Sequence, residues 1–258
     1  MQERFVEIAT ADGVMEAFVA HPEEGGPFPC IVLFQDFWGL REEIYDLVRK
    51  VAVTGYYCMV PDLYYRVGKQ HLVEYRNDKN EMMSSWRIEK HEFARAMAPL
   101  SKHTDEMFMS DTAAVVRFAD ESNDIISERR MGSFGYCLGG RLAIKAAAQF
   151  PQRFMATASL HGTYLVEEKP TSAHHLIPNI RGEIYLGCAE LDPYLPLESV
   201  AKFQESLVKH NIKHRVEIHK GAQHGYAMPN RDVFDKRAYN RDWECIFAMF
   251  RRQLPLER

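Results

Sequence analysis

The chain has 258 residues, 46% hydrophobic and 26% charged, with a net charge of −4. That length and composition suit a single α/β domain with one large core. No lysine or arginine block supports nucleic-acid binding, and no apolar run approaches the roughly 18 residues of a membrane span. The first residues, MQERFVEIATADG, are charged and lack the apolar centre of a signal peptide, so a cytoplasmic protein is expected.

In chain order, the alternating stretches 4–8 and 14–19 flank Ala11, Asp12 and Gly13 and predict an antiparallel hairpin. Cys30–Phe34 (CIVLF) is continuously apolar, the pattern of a strand covered on both faces. A helix is expected over 41–53, closed by Gly55, then a strand over 56–60 stopped by Pro61. Residues 68–110 turn polar and methionine-rich with helical propensity, a surface excursion or partial lid. A helix at 111–120, a strand at 130–134, a helix at Leu138–Gln149 and a strand at Phe154–Leu160 follow. Residues 162–181 hold two prolines and little periodicity, an irregular connection. A strand at 184–188, a helix at 197–210, a strand at 215–219 and a helix at 232–251 complete the chain. This alternation predicts one domain over 1–258, with a mostly parallel, doubly wound sheet, helices on both faces and the hairpin in front. Such sheets bind ligands beyond the carboxyl ends of their strands, which directs attention to the residues after each strand.

The five cysteines are odd in number and form no CxxC pair. Cys30, Cys58, Cys188 and Cys245 lie in apolar runs, where a free cysteine acts as a small hydrophobe. Cys137 differs. It centres the pattern G-x-C-x-G, from Gly135 to Gly139, between a strand and an alanine-rich helix. Glycines two before and two after suit a nucleophile elbow too sharp for side chains. The helix amino end would favour a thiolate and a developing oxyanion. The alternative is a buried cysteine whose glycines serve close packing.

In that arrangement an acid and then a histidine follow along the chain. Asp192 comes soon after the strand at 184–188, with Glu190 as competitor; its Asp-Pro step favours a fixed turn. His224 lies in a glycine-flanked loop after the last strand, whereas His71, His91 and His103 sit in polar text and read as surface. His214, His219 and His224 recur every five residues, but positions five apart on a strand face opposite ways. With no HExxH or clustered CxxC, no metal is expected. The oxyanion donors would be the backbone amides of Leu138 and Phe37. Asp36 ends a buried strand beside the elbow, which is costly without a task; a helix-start aspartate is the alternative.

Together these residues resemble the dienelactone hydrolase family of the α/β-hydrolase superfamily. The resemblance rests on GYCLGG around Cys137, PDLYYR at 61–66, QDFWG at 35–39 and AQHGY around His224, and spans about 4–251. It implies an α/β-hydrolase fold and a cysteine-dependent hydrolase of lactones or activated esters, without metal or cofactor. The triad it implies is Cys137, Asp192 and His224. Position 36, a glutamate in the family and one methylene shorter here, would restrain the resting thiol. Arg66 matches a family arginine that grips a substrate carboxylate. A second such arginine falls at Met228, with Arg231 nearby as a substitute. Trp38, Tyr136, His161 and Tyr226, with Tyr64 and Tyr65, are candidate pocket residues. The expected partner is a small ester or lactone, with neither nucleic acid nor membrane; monomer and homo-oligomer stay open. Two other readings are a non-catalytic ligand-binding protein and a thiol redox protein, in which Cys188 would have to approach Cys137 in space.

Overall fold

The computed structural model describes residues 1–68, 75–126 and 130–256. Its frame is an eight-stranded sheet. Strand β1 (Gln2–Thr10) pairs antiparallel with β2 (Gly13–His21), from Gln2 opposite His21 to Thr10 opposite Gly13. The other strands are β3 (Cys30–Phe34), β4 (Tyr57–Pro61), β5 (Met131–Tyr136), β6 (Phe154–Leu160), β7 (Glu183–Leu191) and β8 (His214–Gln223). Their order is β1-β2-β4-β3-β5-β6-β7-β8; β2 meets β4 antiparallel, and every later pairing is parallel. This is the sheet expected from the alternation, with the N-terminal hairpin at one edge.

The helices are α1 (Glu42–Ala52), α2 (Lys90–Met97), α3 (Asp105–Glu121), α4 (Leu138–Gln149), α5 (Leu197–Lys209) and α6 (Lys236–Gln253). Successive residues of a strand point to opposite faces, and β3 shows the consequence. Cys30, Val32 and Phe34 join a core with α3, α4 and α5, while Ile31 and Leu33 join a second core with α1 and α6. A continuously apolar strand is what two covered faces require.

Several boundaries differ from the sequence expectation, each for a local reason. Helix α6 starts at Lys236 rather than 232, because Asp235 caps it by accepting from Arg237 N at 2.9 Å and Ala238 N at 3.0 Å. Helix α3 runs through 111–120 from a start at Asp105, with Thr104 accepting from Met107 N at 3.3 Å. Within 68–110 the described residues form α2 and short 3-10 turns at Ser85–Arg87 and Ala98–Leu100; His71 lies outside the described residues. His91 is exposed, but His103 is drawn between the rings of Tyr64 and Phe108, at 5.6 and 5.7 Å. The connection at 162–181 contains a 3-10 stretch, Ala173–Asn179. Among the described residues no helix is long and apolar enough to cross a membrane.

Strands β5, β7 and β8 end at Tyr136, Leu191 and Gln223. Cys137, Asp192 and His224 are therefore each the first residue beyond a parallel strand, at the same edge of the sheet.

Candidate active site

Cys137 turns the chain from β5 into α4 with φ 56° and ψ −117°. A side chain in that region of backbone space costs about 1–3 kcal/mol and persists only where its surroundings enforce it. The flanking glycines allow the enforcement. A Cβ at Gly135 would meet Gly139 O at 2.2 Å, and one at Gly139 would meet Phe34 O at 2.0 Å. Backbone bonds then fix the bend: Cys137 N donates to Leu160 O at 3.1 Å, and its carbonyl accepts from Gly140 N and Thr163 N, each at 3.1 Å.

Across the cavity, His224 Nδ1 shares a 2.8 Å hydrogen bond with Asp192 Oδ2. The other oxygen of Asp192 accepts from Tyr194 N at 2.8 Å and Leu195 N at 3.3 Å, which fixes the carboxylate in its loop. The remaining ring nitrogen, Nε2, is buried, has no geometrically complete hydrogen bond among the described residues, and looks onto the cavity shared with the Cys137 thiol. Burial works against a charged imidazole here. The Cys137 thiolate charge and the Asp192 hydrogen bond outweigh it and push His224 up to about 9. An imidazole so placed can hold a proton taken from sulfur. Glu190, the competing acid, instead accepts from Gly221 N at 2.7 Å.

The amides of Phe37 and Leu138 donate to no protein acceptor among the described residues. Asp36 shapes the loop that carries Phe37, accepting from Trp38 N at 3.1 Å. Its carboxylate is held by two arginines and lines the cavity it shares with Cys137. Arg41 grips both oxygens, at 2.7 and 3.0 Å, and Arg231 Nη2 adds a bond at 2.8 Å. Burial alone would raise the Asp36 pKa, but these two guanidinium groups hold it below the usual carboxylate range. Arg41 also reaches Glu43 at 2.7 Å, giving a buried chain of alternating charges that ends at the cavity.

Arg231 lines that cavity together with Asp36, Phe37, Cys137, His161 and His224. Its guanidinium lies 5.5 Å from the Trp38 ring centre, and its Nε has no partner among the described residues. His161 is buried at φ 37°, with its ring centre 4.9 Å from that of His224. Burial, with His224 and Arg231 beside it, keeps His161 well below the ordinary histidine range. Tyr136 and Tyr226 stay in the core toward α6 rather than on the cavity wall. Tyr226 donates to the buried Asp242 at 2.8 Å. Tyr64 props the Phe37 carbonyl at 3.1 Å, and Tyr65 reaches Asp111.

The structure does not bring Arg66 to the cavity. Its nitrogens bond to both oxygens of Asp111 at 2.6 and 2.7 Å and to Asp12 at 2.6 and 2.9 Å. Asp111 is fully buried, so Arg66→Ala leaves a carboxylate uncompensated. The expected loss is about 3–5 kcal/mol in urea unfolding, with KM for carboxylate-bearing esters unchanged. A selective rise in that KM at unchanged stability would return Arg66 to substrate binding.

Within 68–110, read from the sequence as a surface excursion or partial lid, the residues that line the cavity are Ser84, Ser85 and Trp86, none of them named from the sequence. The one available signal was a tryptophan in polar text, a large apolar ring in need of a partner. Trp86 stands edge-on to His224, with ring centres 6.1 Å apart.

The comparisons with known proteins agree with this frame. A Methylorubrum extorquens protein named "Putative carboxymethylenebutenolidase" is 35% identical over 146 residues, 57% of this chain and 44% of that protein. The match thus spans less than half of that relative's length. A Synechocystis protein of the same name is 24% identical over 241 residues, covering 92% of this chain and 91% of that one. Among solved structures, a dienelactone hydrolase-like promiscuous phosphotriesterase from metagenomic libraries superposes with a TM-score of 0.77 at 15% identity, covering 98% of both chains. A dienelactone hydrolase from Anabaena variabilis gives 0.67 at 16% identity, also over 98% of both. At those identities the likeness shows a shared α/β-hydrolase fold. The model of the dienelactone hydrolase family matches residues 15–254, and over that span the chain belongs to this family.

Proposed function

We propose that the protein hydrolyses small lactones or activated carboxylic esters through an acyl-thioester on Cys137. The observation that carries this reading is the buried His224, bonded to Asp192 through Nδ1 and offering Nε2 to the cavity of the thiol. His224 takes the thiol proton, and the thiolate attacks the substrate carbonyl. The amides of Leu138 and Phe37 receive the oxyanion, each contributing about 3 kcal/mol to the barrier reduction. The carbon–oxygen bond to the leaving group breaks, and His224 returns the proton to that oxygen. Water then gives a proton to His224 and attacks the thioester. The carbon–sulfur bond breaks, the thiol is restored, and a carboxylic acid leaves and ionises.

The leaving group decides the substrate class. An activated aryloxide such as p-nitrophenolate, or an enol that His224 protonates as it departs, competes with the thiolate as leaving group. An amine is a poor one, and the tetrahedral carbon expels sulfur instead. Enol lactones and aryl esters fit; peptides do not. Arg231, with an unpartnered Nε at the wall, is the group in reach for a substrate carboxylate. Asp36 and Arg41 position Arg231. His161 and Phe37 contribute the remaining walls, with Trp38 behind Arg231. No metal or cofactor enters any step.

The test is a panel of enol lactones and aryl esters, with and without a carboxylate, against wild type and Arg231→Gln. The wild type is expected to turn over both classes and to prefer the anionic one. Arg231→Gln should raise KM for the anionic class about tenfold or more, leaving the neutral class close to wild type. No hydrolysis of any member would overturn the proposal. Equal KM changes for both classes would remove Arg231 from carboxylate binding.

A further inference from the structure

The cavity that holds Cys137 and His224 is too small for a substrate. It measures about 10 Å³, room for roughly one water molecule. Sites that accept small organic ligands run to about 300 Å³ and upward. Cys137 and His224 are 7% and 4% exposed. A substrate therefore reaches the thiol only if part of the wall moves.

The part built to move is the strap 82–87. Its start is anchored: Met82 is 1% exposed, its amide donates to Asn230 O at 2.7 Å, and its carbonyl accepts from Asp232 N at 3.1 Å. Met83 still packs against the core and its amide donates to Tyr75 O at 2.7 Å, but from Ser84 to Arg87 the attachment is mostly polar. Asp232 Oδ1 accepts from Ser84 N at 3.1 Å and Ser84 Oγ at 2.6 Å, while Oδ2 accepts from Arg87 Nη1 at 2.8 Å. Ser85 Oγ meets Tyr194 OH at 2.9 Å, and the Trp86 ring leans on His224 and Tyr194. Between Ser84 and Arg87 only the Trp86 ring is a large apolar group, so this stretch, which gives its polar bonds to water when it lifts, holds few of the apolar contacts that anchor a segment. Asp232 sits on the loop that also carries His224, Gly225 and Arg231, so the clasp and the cavity wall share one segment.

We propose that 84–87 is a gate: its release from Asp232 admits the substrate, and Trp86 limits the size of the group that fits beside His224. The identity of the substrate rests on the hydrolase reading above. The closure does not, and the first measurement reads access without turnover.

Alkylation of Cys137 by iodoacetamide, followed by peptide mass spectrometry, compares wild type with Asp232→Ala and Arg87→Gln. Loss of the clasp is expected to speed alkylation about tenfold or more in Asp232→Ala, and less in Arg87→Gln. The pH dependence should stay the same, which separates access from thiol ionisation. Arg87 projects outward, so its variant keeps the test usable if Asp232→Ala fails to fold. Alkylation in both variants as slow as in wild type would overturn the gate. Trp86→Ala should raise the ratio of kcat/KM for a naphthyl ester to that for p-nitrophenyl acetate by about tenfold. Equal changes for both esters would overturn the role given to Trp86.

Discussion

Cys137→Ala is expected to lower ester and lactone turnover by a factor of about 10⁴ or more, with the fold intact. Alanine keeps the Cβ that cysteine already places at φ 56°, so no new backbone strain arises. The bonds that hold the bend come from backbone atoms of Leu160, Gly140 and Thr163, not from sulfur. One missing sulfur beside a small cavity costs about 1 kcal/mol, too little to unfold a domain of this size. The variant also carries a spectroscopic signature. His224 owes part of its elevation to about 9 to the Cys137 thiolate, so its pKa should fall in the variant, as imidazole NMR shifts would record. Full turnover in Cys137→Ala would mean that His224 activates water directly and that no acyl-enzyme forms.

The second large effect belongs to Asp192→Asn. Asparagine keeps an oxygen for the amides of Tyr194 and Leu195, so the loop should hold. It removes the negative charge at Nδ1 of His224 and favours the wrong tautomer. A fall in kcat/KM of about 10²–10⁴ is expected. The direction of the pH change follows from the same contact. Asp192 raises the His224 pKa, so losing its charge lowers that pKa from about 9. The proton on His224 is the one delivered to the leaving group, and activity is lost as pH rises through its pKa. The wild-type profile should therefore fall on the alkaline side near pH 9. In Asp192→Asn that limb should move toward neutral pH. An unmoved limb would show that His224 does not titrate in the step.

Much of this site could be read from the chain because its parts obey local rules. Three parallel strands stop, and the next residue of each carries the chemistry, marked by glycine around Cys137 and His224 and by proline after Asp192. The two-faced apolar pattern of β3 fixed the layering equally well. What stayed hidden depends on partners far apart in sequence. Arg66 stands in the right motif, yet Asp12 from the hairpin turn and Asp111 from α3 consume all its charge. Asp36 has the expected position, but its binding by Arg41 and by Arg231, the latter 195 residues away, could not be read from the motif. The sequence offered 68–110 as a surface excursion or partial lid, but which of its residues meet the cavity was hidden for the same reason. Ser84 and Trp86 carry no motif, and their meaning lies in contacts with Asp232 and His224. The start of the last helix was misjudged because the capping residue Asp235 overrode the periodicity.

The most direct measurement is the intact mass of the protein, quenched with acid during turnover of a p-nitrophenyl ester. A mass increase of one acyl group, mapped to the peptide bearing Cys137 and released by hydroxylamine, is the predicted result. Sustained hydrolysis with no acyl group on Cys137, or with the acyl group on another residue, would contradict the account.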